Sequence, residues 1–289
     1  QKSALLLCGD YMEAYETIVP LYVLQSFGVS VHCVSPNRNA GDRCVMSAHD
    51  FLGLELYTEL VVDQLTLNAN FDDVTPENYD VIIIPGGRFT ELLSADEKCV
   101  DLVARFAESK KLIFTSCHSE VMLMAAGILA GGVKCTAFES IKPLIELSGG
   151  EWWQQPGIQS MFEITDCVKD GNFMSTVGWP TLGHGIKLLL ESLGGKVCSL
   201  EKKQASVLFL IGDYVEDYGI NVPFRALQAL GCKVDAVTPN KKKGEVCATA
   251  VYDLEDGRQI PAEKRGHNFF VTASWDDICV DDYDCVVVP

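Results

Sequence analysis

The sequence is short of positive charge. Among its 289 residues, 23 are Lys or Arg and 40 are Asp or Glu, so the formal net charge at pH 7 is −17. Nucleic acids and anionic membranes both bind basic surfaces, and the charge therefore argues against either of them as a partner. The short basic run at 241–243 is interpreted as a solvated loop.

Long apolar runs and closely paired cysteines are also missing. No apolar run approaches the roughly 18 residues that a membrane-spanning helix needs. The chain has twelve cysteines, but none of them form a C-x-x-C pair. Most stand in apolar, strand-like surroundings, which is typical of reduced thiols buried as small hydrophobic residues; examples are Cys8, Cys33, Cys198 and Cys285. We therefore expect a cytoplasmic protein without a structural metal.

The chain repeats itself over a distance of about one domain. Of the 33 residues from Leu5 to Asn37, 16 are identical to the residue 203 positions further on. The segment Tyr79–Pro85 is echoed near the end by Tyr283–Pro289. A period of this length indicates a duplicated domain. We predict a first copy at 1–195, a linker at 196–204, and at 205–289 the beginning of a second copy, whose later strands lie beyond the sequence.

Strands and helices alternate within the first copy. Short apolar runs at 4–8, 29–34, 81–84 and 112–114 predict buried strands. Helical spacing is found at 18–27, 96–108, 119–126 and 186–193, and in the second of these Val100, Leu102, Val103 and Phe106 are predicted to face the core. The alternation predicts an α/β fold with a parallel sheet between layers of helices, duplicated in tandem.

One stretch of the first copy carries recognisable chemistry. An apolar strand leads directly into Cys117 and His118, and an apolar helical pattern follows. A cysteine at a sharp strand-to-helix turn stands exposed at the carboxyl end of the sheet, where the helix N-terminus favours the thiolate. His118 can serve as a base or proton relay. Gly86 and Gly87 follow another strand, and their N–H groups could approach a developing oxyanion.

These motifs together resemble the DJ-one/PfpI superfamily, in particular its tandem-domain plant members. The resemblance is carried by Gly-Asp-Tyr-Met-Glu-x-Tyr-Glu at 9–16, Pro-Gly-Gly-Arg at 85–88, Cys-His at 117–118 and Lys-Cys-Thr-Ala at 134–137. It implies a flavodoxin-like sheet with Cys117 as nucleophile and His118 beside it. It also implies that Glu16 is an acid whose carboxyl group is hydrogen-bonded to the thiol. Such an acid helps a thiolate only when protonated, so we expect Glu16 to be partly buried with a raised pKa. Its neighbours Glu13 and Asp10 are interpreted as surface charges.

The resemblance also implies a function. Members of this superfamily act as cofactor-free glyoxalases, deglycases, proteases, chaperones and oxidative-stress sensors. The tandem plant members resemble the glyoxalases most, so the expected substrates are small reactive aldehydes such as methylglyoxal and glyoxal, with no cofactor. Homo-oligomers are expected through contacts of the family type. The alternative is a catalytically weak protein in which Cys117 only senses peroxide.

The sequence departs from the family pattern in several places. Ser119 stands where active relatives have glycine, and together with Gly86 and Gly87 it is expected to bind the substrate or the oxyanion. Gly-His-Asn-Phe at 266–269 has no counterpart in the first copy, and His184 falls out of register with the family's histidine near the last helix. Gly219 occupies the position equivalent to Glu16, so the second copy is expected to be structural or weakly active. A class I amidotransferase and a chambered cysteine protease are weaker alternatives.

Overall fold

The computed structural model of the chain describes residues 1–52, 56–157, 164–196, 204–255 and 258–289. Most of the predicted linker at 196–204 therefore lies outside the described residues, and so does Cys198. No helix in the described ranges is long and apolar enough to cross a lipid bilayer.

Strands are numbered along the chain. Their bounds are β1 Ser3–Leu7, β2 Met12–Glu13, β3 Ser30–Val34, β4 Arg43–Ala48, β5 Phe51–Leu52, β6 Leu56–Tyr57, β7 Leu60–Thr66, β8 Val81–Ile84, β9 Leu112–Ser116, β10 Lys134–Cys135, β11 Glu151–Trp152, β12 Val168–Asp170, β13 Phe173–Thr176, β14 Ser206–Leu210, β15 Val215–Glu216, β16 Lys233–Val237, β17 Val246–Glu255, β18 Arg258–Phe270 and β19 Cys285–Val287.

The α-helices are numbered in the same way. Their bounds are α1 Ala14–Ser26, α2 Phe89–Leu93, α3 Glu97–Glu108, α4 Glu120–Ala125, α5 Lys142–Leu147, α6 Leu182–Ser192 and α7 Asp217–Ala229. Short 3₁₀ turns lie between several of these elements, among them Ile128–Gly131 and Trp179–Thr181.

The first copy is built on a six-stranded sheet in the order β12-β13-β9-β8-β1-β3. All neighbouring strands are parallel except β12 and β13. Strand β8 is wholly apolar and buried, and β1 is so from Ala4 to Leu7, as a sheet covered by helices on both faces requires. The predicted fold class is thus confirmed. Because β1, β8 and β9 are adjacent and parallel, the loops after them meet at one edge of the sheet, which is where ligands bind in such folds.

The second copy repeats the start of this arrangement. Strands β16, β14 and β19 form a parallel sheet, while β17 and β18 form a long antiparallel hairpin that pairs with β15. The equivalent helices α1 and α7 pack against each other, so the two copies share an interface. Cys285 was expected to be buried, but it is exposed because β19 is an edge strand of its sheet.

Helix boundaries differ from the predicted ones for a physical reason. Helix α1 begins at Ala14 instead of residue 18, because the carboxylate of Glu13 caps it by accepting the Glu16 N–H. Helix α6 likewise begins four residues early, at Leu182. In α3 the buried face includes Cys99 instead of Val100, which is only half-buried.

Candidate active site

Cys117 lies directly after β9, in the turn that leads to α4. Its backbone has φ +58°, in the left-handed region that residues other than glycine seldom adopt. Two backbone hydrogen bonds hold it there: its N–H donates to Thr176 O at 3.1 Å and its C=O accepts from Phe138 N at 3.0 Å. A strained residue fixed at the carboxyl edge of a sheet is a frequent feature of functional sites.

The prediction that the Cys117 side chain is exposed is wrong. Only 6% of the residue is exposed, and it packs in a small apolar cluster with Phe138, Ile164 and Val177. Burial raises the pKa of the Cys117 thiol well above its usual value, and the neighbouring carboxyl groups add to the shift. The following helix has only six residues and does not reverse this. The free thiol is therefore the favoured form in this environment.

Glu16 lies beside the cysteine, on the far side of Gly86. Its Oε2 accepts the Gly86 N–H at 2.6 Å. A Cβ on Gly86 would lie 2.5 Å from the Cβ of Cys117 and would overlap Glu16 Oε2, so the carboxyl group and the cysteine flank this glycine closely. Burial raises the pKa of Glu16 well above its usual range, and the charge of Glu13 raises it further. The predicted burial and raised pKa are confirmed, and both favour the protonated form of Glu16.

Gly86 is used differently from the prediction. The Gly86 N–H, expected to face an oxyanion, is bonded to Glu16, and the Gly86 C=O accepts the Glu13 N–H at 2.9 Å. Gly87 has φ +98°, and a Cβ there would lie 2.6 Å from Tyr11 O. Gly87 needs glycine because the loop after β8 packs against the loop after β1, and Gly86 needs it because Glu16 and the turn after β9 approach it closely. Gly86 thus positions the acid.

His118 is buried next to the cysteine, and its ring stacks on Phe138 with 5.5 Å between centroids. Its Nδ1 lies 3.6 Å from an oxygen of Glu91, a half-exposed residue of α2. Burial lowers the pKa of His118, and the charge of Glu91 opposes the shift. A neutral imidazole oriented by a carboxylate can accept a proton. Sequence reasoning missed Glu91, although its position three residues after the Pro-Gly-Gly-Arg motif was a usable signal.

Ser119 does not place its hydroxyl towards the thiol. The Oγ donates to Ser116 O at 2.7 Å and accepts from Ser116 N at 2.6 Å, and the residue is fully buried. Both hydrogen-bonding functions of the hydroxyl are thereby used within the turn. Ser119, predicted to bind substrate or stabilise an oxyanion, instead closes the turn that holds Cys117.

Glu13 was interpreted as a surface charge, and this was wrong. Only 1% of it is exposed, and its Oε1 lies 2.6 Å from Nε2 of His267 in the second copy. Its retention as Glu216 in the repeat was the available signal. Asp10 is half-buried and pairs with Arg38. His184 is exposed on α6.

A model of the DJ-1/PfpI family matches residues 2–191 and 205–289. The chain belongs to this family. It is 78% identical over 290 residues to DJ-1 protein homolog F of Arabidopsis thaliana, a match that covers 100% of this chain and 73% of the relative. It is 28% identical over 172 residues to Deglycase TK1284 of Thermococcus kodakarensis, covering 60% of this chain and 87% of that protein.

Solved structures give the same fold. Drosophila melanogaster DJ-1beta superposes with a TM-score of 0.55 at 22% sequence identity, covering 68% of this chain and 92% of that one. At this identity the likeness supports the fold alone. The DJ-1/PfpI membership first read from four short motifs is thus confirmed over both copies.

Proposed function

We propose that the chain is a cofactor-independent glyoxalase or deglycase-like protein that acts on small reactive aldehydes and serves in stress defence. The proposal is carried by one observation: Glu16, a buried acid whose pKa is raised, lies across Gly86 from the strained Cys117. The deglycase names of relatives agree with this class of reaction.

In the proposed reaction the Cys117 sulfur attacks the aldehyde carbon of methylglyoxal. The thiol gives up its proton, the carbonyl oxygen receives one, and a hemithioacetal forms. Proton transfers through an enediol then convert the hemithioacetal into a lactoyl thioester. Water hydrolyses the thioester, which releases lactate and restores the thiol. The net reaction adds one water to methylglyoxal, so no oxidant or reductant is needed.

Two side chains share the proton transfers. Neutral His118, oriented by Glu91, accepts the proton that leaves the thiol or the substrate carbon. Protonated Glu16 donates a hydrogen bond to the sulfur or to the substrate oxygen; its Oε1 has no hydrogen-bond partner among the described residues. Because the thiol pKa is raised by burial, proton removal must accompany the attack.

The first test measures methylglyoxal consumption with chiral detection of lactate. The chain and its Cys117→Ala variant are compared with Cys99→Ala, which removes an equally buried thiol from α3 outside the site. We expect D-lactate from the chain and from Cys99→Ala, and a loss of at least about 100-fold in Cys117→Ala. Formation of D-lactate by Cys117→Ala at the original rate would exclude the proposed nucleophile.

The Glu16→Gln variant separates hydrogen bonding from proton transfer. Glutamine can still accept the Gly86 N–H and donate to the sulfur, but it cannot release a proton. We expect alkylation of Cys117 to stay within about threefold of the original rate, while lactate formation falls by at least about 100-fold. Unchanged lactate formation would remove Glu16 from the proton transfers.

A second candidate function is a peroxide sensor, favoured by the burial of Cys117. A thiol with 6% exposure is more accessible to hydrogen peroxide than to a larger aldehyde. Two peroxide molecules would oxidise the thiol to a sulfinic acid and leave two waters. Mass spectrometry of the Cys117 peptide after peroxide treatment tests this function, and it is preferred if oxidation occurs without any lactate formation.

Assembly is the remaining part of the proposal. Homo-oligomers through contacts between DJ-1/PfpI domains are expected, and sedimentation of the chain at several concentrations measures them. A protease of the PfpI kind would need an oligomer that encloses a chamber, so a monomer or an open dimer would rule that alternative out.

A further inference from the structure

A buried cluster of charged groups joins the two copies where α1 and α7 begin. His267, on β18 of the second copy, is fully buried between two carboxylates. Its Nε2 lies 2.6 Å from Glu13 Oε1 of the first copy, and its Nδ1 lies 2.9 Å from Asp217 Oδ2 of the second. The imidazole therefore bridges a carboxylate of each copy, an arrangement that favours the imidazolium, which can donate to both.

The neighbouring residues fit a positive charge on His267. Tyr15 stacks on the imidazole at 3.6 Å between ring centroids, with 14° between the planes. Asp217 is held as an anion by hydrogen bonds from Tyr15, Thr249 and the His267 N–H. Gly266 allows this approach, because a Cβ there would lie 2.5 Å from Thr249 Oγ1. Although burial opposes the charge, the two carboxylates raise the pKa of His267 to about 10.

Other polar or charged groups reach the cluster from each element around it. His49 interacts electrostatically with both His267 and His118, and Arg265 donates to the C=O of His267 at 2.7 Å. Burial raises the pKa of Tyr218, and the charges of Asp63, Asp217, Glu13 and Glu216 add to the shift. The remaining neighbours are Asp50, which accepts from Asn268, and Asn221, which is bonded to Arg225. His267 remains the cation that contacts Glu13 directly.

The cluster continues from Glu13 into the Cys117 site. The second oxygen of Glu13 accepts the Glu16 N–H at 2.6 Å, and Glu16 accepts the Gly86 N–H at 2.6 Å next to Cys117. An anionic Glu13 raises the pKa of Glu16 and so keeps the proton on Glu16, where a sulfur anion needs a donor. The imidazolium compensates the buried charge on Glu13, which burial alone would neutralise.

The equivalent place in the other copy lacks this arrangement. The strand pairings align His267 with Asp63, because Ala248 pairs with Asn268 as Val45 pairs with Gln64. The residue equivalent to Glu16 is Gly219. On the opposite side of the interface, therefore, Asp63 of the first copy stands in place of the imidazolium, and the second copy has no acid there to position. A histidine and a carboxyl group for it to position, His267 and Glu16, therefore occur together only on the side of the interface that contains Cys117.

We propose that His267 of the second copy is a positioning residue for the Cys117 site: it holds Glu13, and Glu13 holds Glu16 against the cysteine. The site of the first copy is then completed by the second copy. The inference rests on the proposed function for its biological meaning, but its test does not, because the reactivity of the thiol is measured without an aldehyde.

The test follows alkylation of Cys117 by iodoacetamide between pH 6 and 10, with mass spectrometry of the peptide that contains Cys117. The His267→Gln variant keeps a polar side chain but removes the positive charge. If Glu13 stays charged, its charge loses the compensating cation, and if Glu13 takes up a proton, Glu16 is free to ionise beside the sulfur. In both cases the thiolate becomes less favourable. We expect the midpoint of the pH profile to move up and the rate at pH 7 to fall at least about tenfold.

The matched control is Arg225→Met. Arg225 is also buried on α7 and donates across the interface to Pro180 O at 2.9 Å, but it does not touch Glu13. We expect its Cys117 profile to match that of the original chain. If Arg225→Met shifts the profile as much as His267→Gln does, loosening of the interface explains both results and the proposal is overturned.

Two further variants keep the inference testable if His267→Gln fails to fold. Glu13→Gln leaves the His267–Asp217 pair in place but removes the carboxylate that links His267 to Glu16. Glu16 is then free to ionise beside the sulfur, so the midpoint of the pH profile should again move up. Adding His267→Gln to Glu13→Gln should then change the profile little, because the histidine acts through Glu13. An unchanged profile in a folded Glu13→Gln or His267→Gln variant overturns the proposal.

The outcome for the proposed function is separate. A shifted alkylation profile in a chain that never forms lactate supports the positioning role and rejects the glyoxalase. Lactate formation by the original chain, together with an unshifted alkylation profile in His267→Gln, supports the glyoxalase and rejects the positioning role.

Discussion

Gly86 is the residue around which the candidate site is packed. Its N–H holds Glu16, its C=O holds the Glu13 N–H, and its missing side chain leaves room for Cys117. Because β8 and β9 are neighbours in the sheet, the loop that contains Gly86 and the turn that contains Cys117 are pressed together at the carboxyl edge. At this position the requirement for glycine comes from a close approach, since the backbone is not in the left-handed region.

Gly86→Ala is expected to destabilise the chain and to displace Glu16. The new Cβ would overlap the carboxyl group and lie 2.5 Å from the Cβ of Cys117, so the neighbours must move apart. Overpacking of this kind costs about 1–3 kcal/mol in the free energy of unfolding. Urea denaturation measures that cost, and alkylation of Cys117 reports the displacement.

Gly131→Ala is the control for this substitution. Gly131 has nothing within 4 Å of its ideal Cβ position, so alanine there should leave both the urea midpoint and Cys117 alkylation close to their original values. If Gly86→Ala were as stable as Gly131→Ala, the steric overlap at Gly86 would be relieved without strain.

Glu13 shows what residue type and spacing leave undecided. A glutamate in an acidic, tyrosine-rich loop has the composition of a solvated turn, and the interpretation as a surface charge followed from that. The repeat kept it as Glu216, and in both copies it caps the following helix. Its burial, however, depends on a histidine 254 positions further along the chain, a contact that only the packing of the two copies creates.

Helix caps decide where the elements of this fold begin. Glu13 and Glu216 accept the N–H group three residues later in α1 and α7, and Asp96 does the same for Cys99 in α3. Hydrophobic spacing locates the middle of a helix well but does not detect these first turns, because the capped residues need not be apolar. For this reason the predicted start of α1 was four residues late.

Asp96→Ala tests the cap at the element scale. Its Oδ1 accepts the Cys99 N–H at 3.1 Å, and loss of an Asp N-cap costs about 1 kcal/mol in the free energy of unfolding. We expect a lower urea midpoint with unchanged Cys117 alkylation, since α3 does not contribute a residue to the site. Glu97→Ala, in the first turn of the same helix, removes a charge but no cap and should change the midpoint by a few tenths of a kcal/mol. A similar loss for both variants would assign the effect to charge near the helix N-terminus.

At the scale of the whole molecule, the buried His267 makes the stability of the assembled copies depend on pH. The pKa of His267 is about 10 in the folded chain, against about 6.5 for an unperturbed histidine. A raised pKa means that the folded state binds the proton more tightly. The contribution of His267 is therefore complete below about pH 6.5 and is lost as the pH rises through 10. Asp217 acts in the opposite sense, because its lowered pKa gives stability that is lost only in acid.

The difference in unfolding free energy between the original chain and His267→Gln should thus shrink between pH 7 and pH 10, with a limiting slope of about 1.4 kcal/mol per pH unit. Urea midpoints at several pH values within this range measure it. His184→Gln, which alters an exposed histidine with a lowered pKa, should give a difference that does not vary over the same range. A constant difference for His267→Gln would mean that the imidazole is neutral in the folded chain.

The sequence by itself determined the family, the parallel sheet and the duplication, and it predicted a buried Glu16 with a raised pKa. These follow from local signals: apolar runs bounded by glycine and proline, and short motifs whose residues share one loop. Tertiary structure alone decided that Cys117 is buried, that Gly86 and Ser119 position neighbouring groups, and that Glu91 faces His118. It also decided that His267 reaches Glu13 across the two copies. Such contacts join residues far apart in the chain, and their charges acquire a role only when packing removes them from water.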